Sequence, residues 1–247
     1  MTWNAAALPT LLGIGLLVAV TAAALAARGV PRWSAPGLAV LRAAAQLAAL
    51  SLVLSSVIEN LLWVWLALGV MFVAAVLTAG GRLHAGARSL LWLGAVMLLA
   101  AAATLAIVFL TGAIAVAPQN VLAVGGIVIG NTMSIATLTG RRFRADVVER
   151  RAEVEGWLAL GATPRQSTLD IARQAVLEAL VPSVDQTRTT GMVVLPGAFV
   201  GAVFAGASPL EAGRFQLVVL AAILAAGALV AVGLVEALGR ARTVPTE

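Results

Sequence analysis

The sequence predicts an all-α, polytopic integral membrane protein with about seven transmembrane helices, its N-terminus outside and its C-terminus inside, and one cytoplasmic helical hairpin. Three observations carry this. Of 247 residues, 61% are hydrophobic and only 11% are charged, with a mean hydropathy of +1.02. A soluble domain carries roughly 25% charged residues. Apolar runs recur near the roughly 20 helical residues that a hydrocarbon core of about 30 Å demands. Finally, eight of the sixteen arginines fall between Arg141 and Arg188, in the one long polar interruption. The chain, 1–247, reads as a single transmembrane domain with its hairpin at 140–190.

The apolar runs are 8–27, 37–58, 61–79, 90–111, 121–139, 191–205 and 215–238, the sixth short and glycine-rich. Arg28 and Arg32 follow the first run and no basic residue precedes it. A secretory signal has the opposite flanks, so this run is expected to be retained, with its N-terminus outside. That orientation sends fourteen of the sixteen arginines to the inside, with Arg214 outside and Arg42 within the second run. A reversed chain does not approach that bias. The isoelectric point near 11.5 therefore reflects inside loops and a lipid bilayer, not nucleic acid. The Glu59-Asn60 connection is so short that it is a tight hairpin or a break in one tilted element.

The polar interruption carries helix signals. Phe143, Val147, Val154 and Leu158 recur at helical spacing between charges, predicting a helix over 141–160. Gly161 supplies the stop. Thr163-Pro164-Arg165-Gln166 is a start: a capping threonine, proline at the first position, and glutamine to complete a capping box. The second helix is expected to end near Val181, before Pro182. On charge alone this is equally a solvated helical hairpin.

Polar residues inside the apolar runs mark candidate pathways, because charge at mid-bilayer costs at least ~2.5–3.5 kcal/mol. Arg42 lies near an interface and is expected to snorkel. Gln46 is a candidate for the substrate path or for a hydrogen bond to a neighbouring helix. Asn131, Thr132, Met133 and Ser134 sit mid-run, where an amide, two hydroxyls and a thioether suit a cation path, and interhelical hydrogen bonds explain all but the thioether equally well. In the sixth run, Gly197 and Gly201 permit close helix approach, and Pro196 permits a kink. Two readings follow: a tightly packed helix, or a bending gate in which Met192, Pro196 and Gly197 line the substrate path. Ser208-Pro209-Leu210-Glu211 is a second capping box and fixes the start of the last run.

Glu155-Gly156-Trp157-Leu158-Ala159-Leu160-Gly161-Ala162 resembles the "EAA" loop of ABC transporter permeases, with Gly156-Trp157 replacing the central alanine pair. The wider pattern adds Arg42-x-x-x-Gln46-Leu47, Gly130-Asn131-Thr132-Met133, Ala159-Leu160-Gly161-Ala162-Thr163-Pro164, Gly191-Met192-Val193-Val194-Leu195-Pro196-Gly197 and Gly206-Ala207-Ser208-Pro209-Leu210-Glu211-Ala212. In this order the motifs, over roughly residues 42–238, resemble the FetB-type (YbbM) family of ABC permeases. The resemblance implies a permease subunit of an iron exporter in the cell (inner) membrane. It further implies a second copy of the chain, and a separate ATP-binding subunit that carries the ATP and magnesium. Glu155, Trp157, Leu160, Gly161, Ala162 and Thr163 would then couple to that subunit. Plant relatives are tied to aluminium tolerance, with nucleotide sugar as an alternative cargo.

The chain's own chemistry is consistent with such a division of labour. A P-loop needs a lysine that reaches the terminal phosphates, and this chain has no lysine. It also has no cysteine and one histidine, His84, set among arginines in a short loop. No nucleophile–base set suggests an enzyme, and the metal ligands of any cargo site remain unassigned. The competing classes are a stand-alone secondary transporter or channel, and a non-transporting scaffold. The spans lack the buried acid of a proton relay.

Overall fold

The structure is a computed structural model describing residues 3–239; Arg240 and Arg242, assigned above to the inside, lie outside that range. Ten helices and no extended strand occur among the described residues. The chain divides into two compact units, one ending at Glu59 and the other beginning at Asn60.

The first unit is a pair of helices, α1 (Trp3–Ala27) and α2 (Ala35–Ile58), packed on one another. Gly37 sits close enough to Val18 that an added Cβ would lie 3.1 Å from its Cγ1. Both helices are long and apolar, α2 apart from Arg42 and Gln46, which suits lipid rather than water.

The second unit begins with a cap. Asn60 has extended backbone and its side chain accepts the Leu62 N–H at 2.9 Å, so the helix is interrupted there. The unit comprises α3 (Leu61–Arg82), α4 (Ala87–Leu110), α5 (Pro118–Glu149), α6 (Arg151–Ala159), α7 (Pro164–Ser167), α8 (Leu169–Thr189), α9 (Gly197–Phe204) and α10 (Pro209–Gly239). Small residues set the helix spacing. Cβ atoms added at Gly125 and Gly140 of α5 would meet Leu68 and Leu83 at 2.8 Å, so the backbones approach closely. Ala101, Val108, Val124, Val128, Val219, Ala222 and Ala226 form the buried core between α4, α5 and α10.

Three helices meet at Gly227. An added Cβ there would lie 2.4 Å from Ile135 of α5 and 3.2 Å from Leu180 of α8. Beside it, Asn131 Nδ2 donates to the Ile223 carbonyl at 3.0 Å. Thr168, at the start of α8, likewise faces Gly239, where an added Cβ would be 3.3 Å from its Oγ1. From these two points α8 and α10 run antiparallel in step, so Thr189 at the end of α8 is level with Val218. That level is about 13 Å along α10 from its start at Pro209, at 1.5 Å per residue.

Two sequence expectations are overturned here. Six described helices, not seven, are long and apolar enough to span: α1, α2, α3, α4, α5 and α10. The run 191–205 is not a span, because only Gly197–Phe204 is helical and no residue of it is buried. Residues 190–196 are a turn at the level just described, and α9, about 12 Å long, packs against α10. Pro196 caps α9 from outside rather than kinking it from within. Nothing lies within 4 Å of a Cβ added at Gly197 or Gly201, so the expected close approach is not made among the described residues. The second difference concerns α8, which continues through Pro182 to Thr189. Proline removes a single donor, and a helix held on a packed seam absorbs that loss.

Gly227→Val forces a branched side chain against the fully buried Ile135. It should cost about 1–3 kcal/mol, the usual penalty of overpacking. Gly69→Val, where no atom lies within 4 Å of an added Cβ, should leave stability nearly unchanged. Thermal unfolding of the two variants in detergent distinguishes them.

Candidate functional site

At the arginine-rich end, α5 runs beyond its apolar stretch as one unbroken helix to Glu149. The sequence had suggested a separate helix from Arg141. The apolar face does not stop there: Phe143 and Val147 extend it, and the helix breaks only at Arg150 (φ −98°, ψ 27°). Phe143, Val147, Val154, Ile171, Ala175 and Val235 form a second buried cluster, with Leu158 packed against it. The stripe expected from the sequence is therefore a core, shared by α5, α6, α8 and α10. Phe143, Val147, Val154, Ile171 and Val235 each contribute roughly 1.5–3 kcal/mol on burial.

The turn after α6 is closed by local chemistry. Gly161 adopts φ +89°. Its N–H donates to the Leu158 carbonyl at 3.0 Å, and the Ala162 N–H donates to the Trp157 carbonyl at 3.0 Å. This pair of bonds is a Schellman motif, which only glycine makes at little cost. Thr163 then opens α7 with the capping box expected from the sequence. Its Oγ1 accepts the Gln166 N–H at 3.3 Å, and its own N–H donates to Gln166 Oε1 at 2.8 Å.

Around this fixed turn, Trp157 is 52% exposed and Leu160 is 83% exposed. Glu155 is exposed and pairs with Arg151 at 2.6 Å. That hydrogen bond raises the Arg151 guanidinium above its ordinary value. The hairpin is also tied to the bundle. Arg165 donates twice to Glu236 of α10, at 2.8 and 2.6 Å, and this contact raises the Arg165 pKa. Arg142 of α5 pairs with Asp146 at 3.1 Å and with Glu178 of α8 at 2.7 Å. Arg144 donates to the Leu83 carbonyl in the α3–α4 loop. His84 in that loop is exposed with φ +48°.

The structure thus gathers Glu155, Trp157, Leu160, Gly161, Ala162 and Thr163 on one turn, while the pathway candidates scatter. Gln46 belongs to the first unit and is exposed there. Asn131 spends its amide on the α10 backbone, the structural alternative foreseen for it. Thr132 and Ser134 bond carbonyls of their own helix. Met133 is half-buried on α5. Met192, Pro196 and Gly197 lie on the turn between α8 and α9, about 10 Å from the Asn131 level. Met192 is 85% exposed. No group of three or more histidine, aspartate or glutamate side chains gathers as a metal site among the described residues.

Three polar residues near that turn were passed over: Asp185, Arg188 and Gln216. Ending α8 at Pro182 had consigned Asp185 and Arg188 to the inside loop. They are instead on the helix, level with the interior of α10. Gln216 lies in an apolar run, with no charge to flag it.

A bundle of long apolar helices, bearing a rigid charged hairpin at one end, defines a multi-pass membrane protein. The chain belongs to the Uncharacterised protein family (UPF0014), whose model matches residues 8–242. It is 34% identical over 190 residues to the UPF0014 membrane protein STAR2 of Oryza sativa subsp. japonica, covering 76% of this chain and 67% of that protein. It is 36% identical over 162 residues to Protein ALUMINUM SENSITIVE 3 of Arabidopsis thaliana, covering 66% of this chain and 59% of that one. With the probable iron export permease protein FetB of Escherichia coli (strain K12) it shares 34% identity over 126 residues, covering 51% and 49% of the two chains. The chain thus spans between about half and two thirds of these relatives' lengths. No solved structure matches it.

Asn131→Ala should cost about 0.6–1.7 kcal/mol, the range of single interhelical hydrogen bonds in membranes. Chemical unfolding in detergent reads that cost.

Proposed function

We propose that this chain is the membrane-spanning permease subunit of an ATP-driven transporter. The observation that carries the reading is the turn at 155–163. Two large apolar side chains, Trp157 and Leu160, are held in water by a turn that hydrogen bonds and a glycine make rigid. Exposed aromatic anchors on a fixed frame are what a protein partner buries. The chain supplies no P-loop lysine, so the partner proposed for that turn carries the ATP and magnesium. Arg165–Glu236 would pass motion of the turn into α10, and the cluster that Val154 shares with Ile171 and Ala175 would pass it into α8.

The remaining assignments rest on likeness. The E. coli relative's name supports export, with metal ions such as iron as cargo; a nucleotide sugar is the organic alternative. The arginine bias supports an inside location for the hairpin and a multi-pass place in the cell membrane. The chain would function with a second copy of itself and two ATP-binding subunits.

Trp157→Ala or Leu160→Asp should weaken capture of the ATPase subunit about thirtyfold, the ~2 kcal/mol of an interfacial anchor. Glu155→Ala removes a surface pair worth only about 0–1 kcal/mol to stability. It should therefore leave folding intact while separating ATP hydrolysis from transport. Unchanged capture and unchanged coupling in these variants would remove the assignment.

A further inference from the structure

The outer half of α8 carries charge where lipid does not tolerate it. On α5 the apolar stretch ends at Thr139, and Arg141 and Arg142 follow. Arg142 pairs with Glu178 at 2.7 Å, which places Glu178 at that boundary. Asp185 and Arg188 lie seven and ten residues further along the helix, about 10 and 15 Å deeper. A hydrocarbon core is about 30 Å thick, so Arg188 is near its middle and Asp185 is close below. Both are exposed, as is Gln186, and neither charge forms a salt bridge among the described residues.

The helix then stops at that depth. Gly191 takes φ +87°, and the Met192, Val193 and Val194 N–H groups all turn back onto the Thr189 carbonyl. Non-helical backbone within a bilayer persists only against protein or a water-filled cavity. Gln216 of α10 provides an independent sign. It is 6% exposed, and its Oε1 has no hydrogen-bond partner among the described residues. Gln216 lies eleven residues, three helical turns, from Gly227, and so shares the α10 face that α8 packs against. By the same register it lies about 3 Å beyond the end of α8 at Thr189. A buried amide oxygen left bare costs about 1–3 kcal/mol unless water or a solute meets it.

We propose that α8 and α9 together form a broken crossing, whose break is a hydrated solute site at the bilayer midplane. Asp185 and Arg188, three residues apart on one exposed face of α8, line it, and Gln186 is exposed at the same level. Opposite charges side by side, neither held by a salt bridge, fit a small, strongly hydrophilic ion or ion complex carried with water, and not an amphiphile. The assignment rests on the permease reading. It also restores the odd number of crossings that the arginine bias requires, without a seventh continuous span.

The chain has no cysteine, so each introduced thiol is unique. Cysteines at positions 185, 186 and 188, one at a time in the full chain in membrane vesicles, are tested with charged methanethiosulfonates. Leu217→Cys is the control, at the same depth on an exposed face of α10. Thiolate, the reactive form, is disfavoured in apolar surroundings. Gln186→Cys, which leaves both charges in place, should therefore react about tenfold faster than Leu217→Cys. Preference between the cationic and anionic reagents should reverse between Arg188→Cys and Asp185→Cys. Three results would overturn the site: reaction with a lipid-soluble maleimide alone, no reaction with any reagent, or disulfides between two copies without aqueous reactivity. The assay needs neither ATP nor the second subunit. A failure of coupling at Trp157 therefore leaves it standing, and the converse also holds.

Discussion

The seam at Gly227 is the constraint from which the rest of the second unit follows. Lipid tails are as apolar as leucine, so helices in a bilayer gain little by hiding apolar surface from them, and close packing of small residues has to hold them together. At Gly227 the absence of a side chain admits Ile135 from α5 and Leu180 from α8 together. The Asn131 amide secures the same level with a bond to the α10 backbone. Once that point and the Thr168–Gly239 contact are set, no freedom remains in how far α8 reaches. Its end depth, and so the depth of the break, is a consequence of two close approaches.

The same register explains why the hairpin is stiff. Its apolar side chains are buried in a cluster built with the adjoining ends of α5, α8 and α10, so it is a continuation of the bundle rather than a loop hung from it. Ion pairs at its edge are individually weak in water. Arg165 nonetheless holds Glu236 with two bonds, and Arg142 bridges Asp146 and Glu178, adding direction to an attachment that burial already provides. In the proposed transporter, a push on Trp157 reaches α8 and α10 through packed atoms.

Legibility in the sequence followed the range of the interaction. Gly161 and the Thr163–Gln166 box depend on residues a few positions apart, and both were readable. So was the 143–158 stripe, because helical periodicity is local, although two helices share it. The length of α8 was not readable. Pro182 is a sound local stop, and only the seam with α10 carries the helix past it. Residues 191–205 have the composition of a span, but Gly191 in the left-handed region and Pro196 before α9 divide them. Asn131 was open between two roles until a carbonyl ninety-two positions away was found opposite its amide.

Pro182, a local stop that the seam overrides, stands just before the most expensive residues of the bundle. Assigned to a loop, Asp185 and Arg188 cost nothing; placed on a helix at mid-bilayer depth, each carries a penalty of at least ~2.5–3.5 kcal/mol. Such a cost is not offset by anything else among the described residues, since neither side chain has a charged partner there. A membrane protein keeps charges of that kind where water or a second polypeptide meets them. Gln216, buried and bare on a different helix at a neighbouring level, favours water over a polypeptide. A partner chain that covered the exposed face of α8 would still leave Gln216 bare.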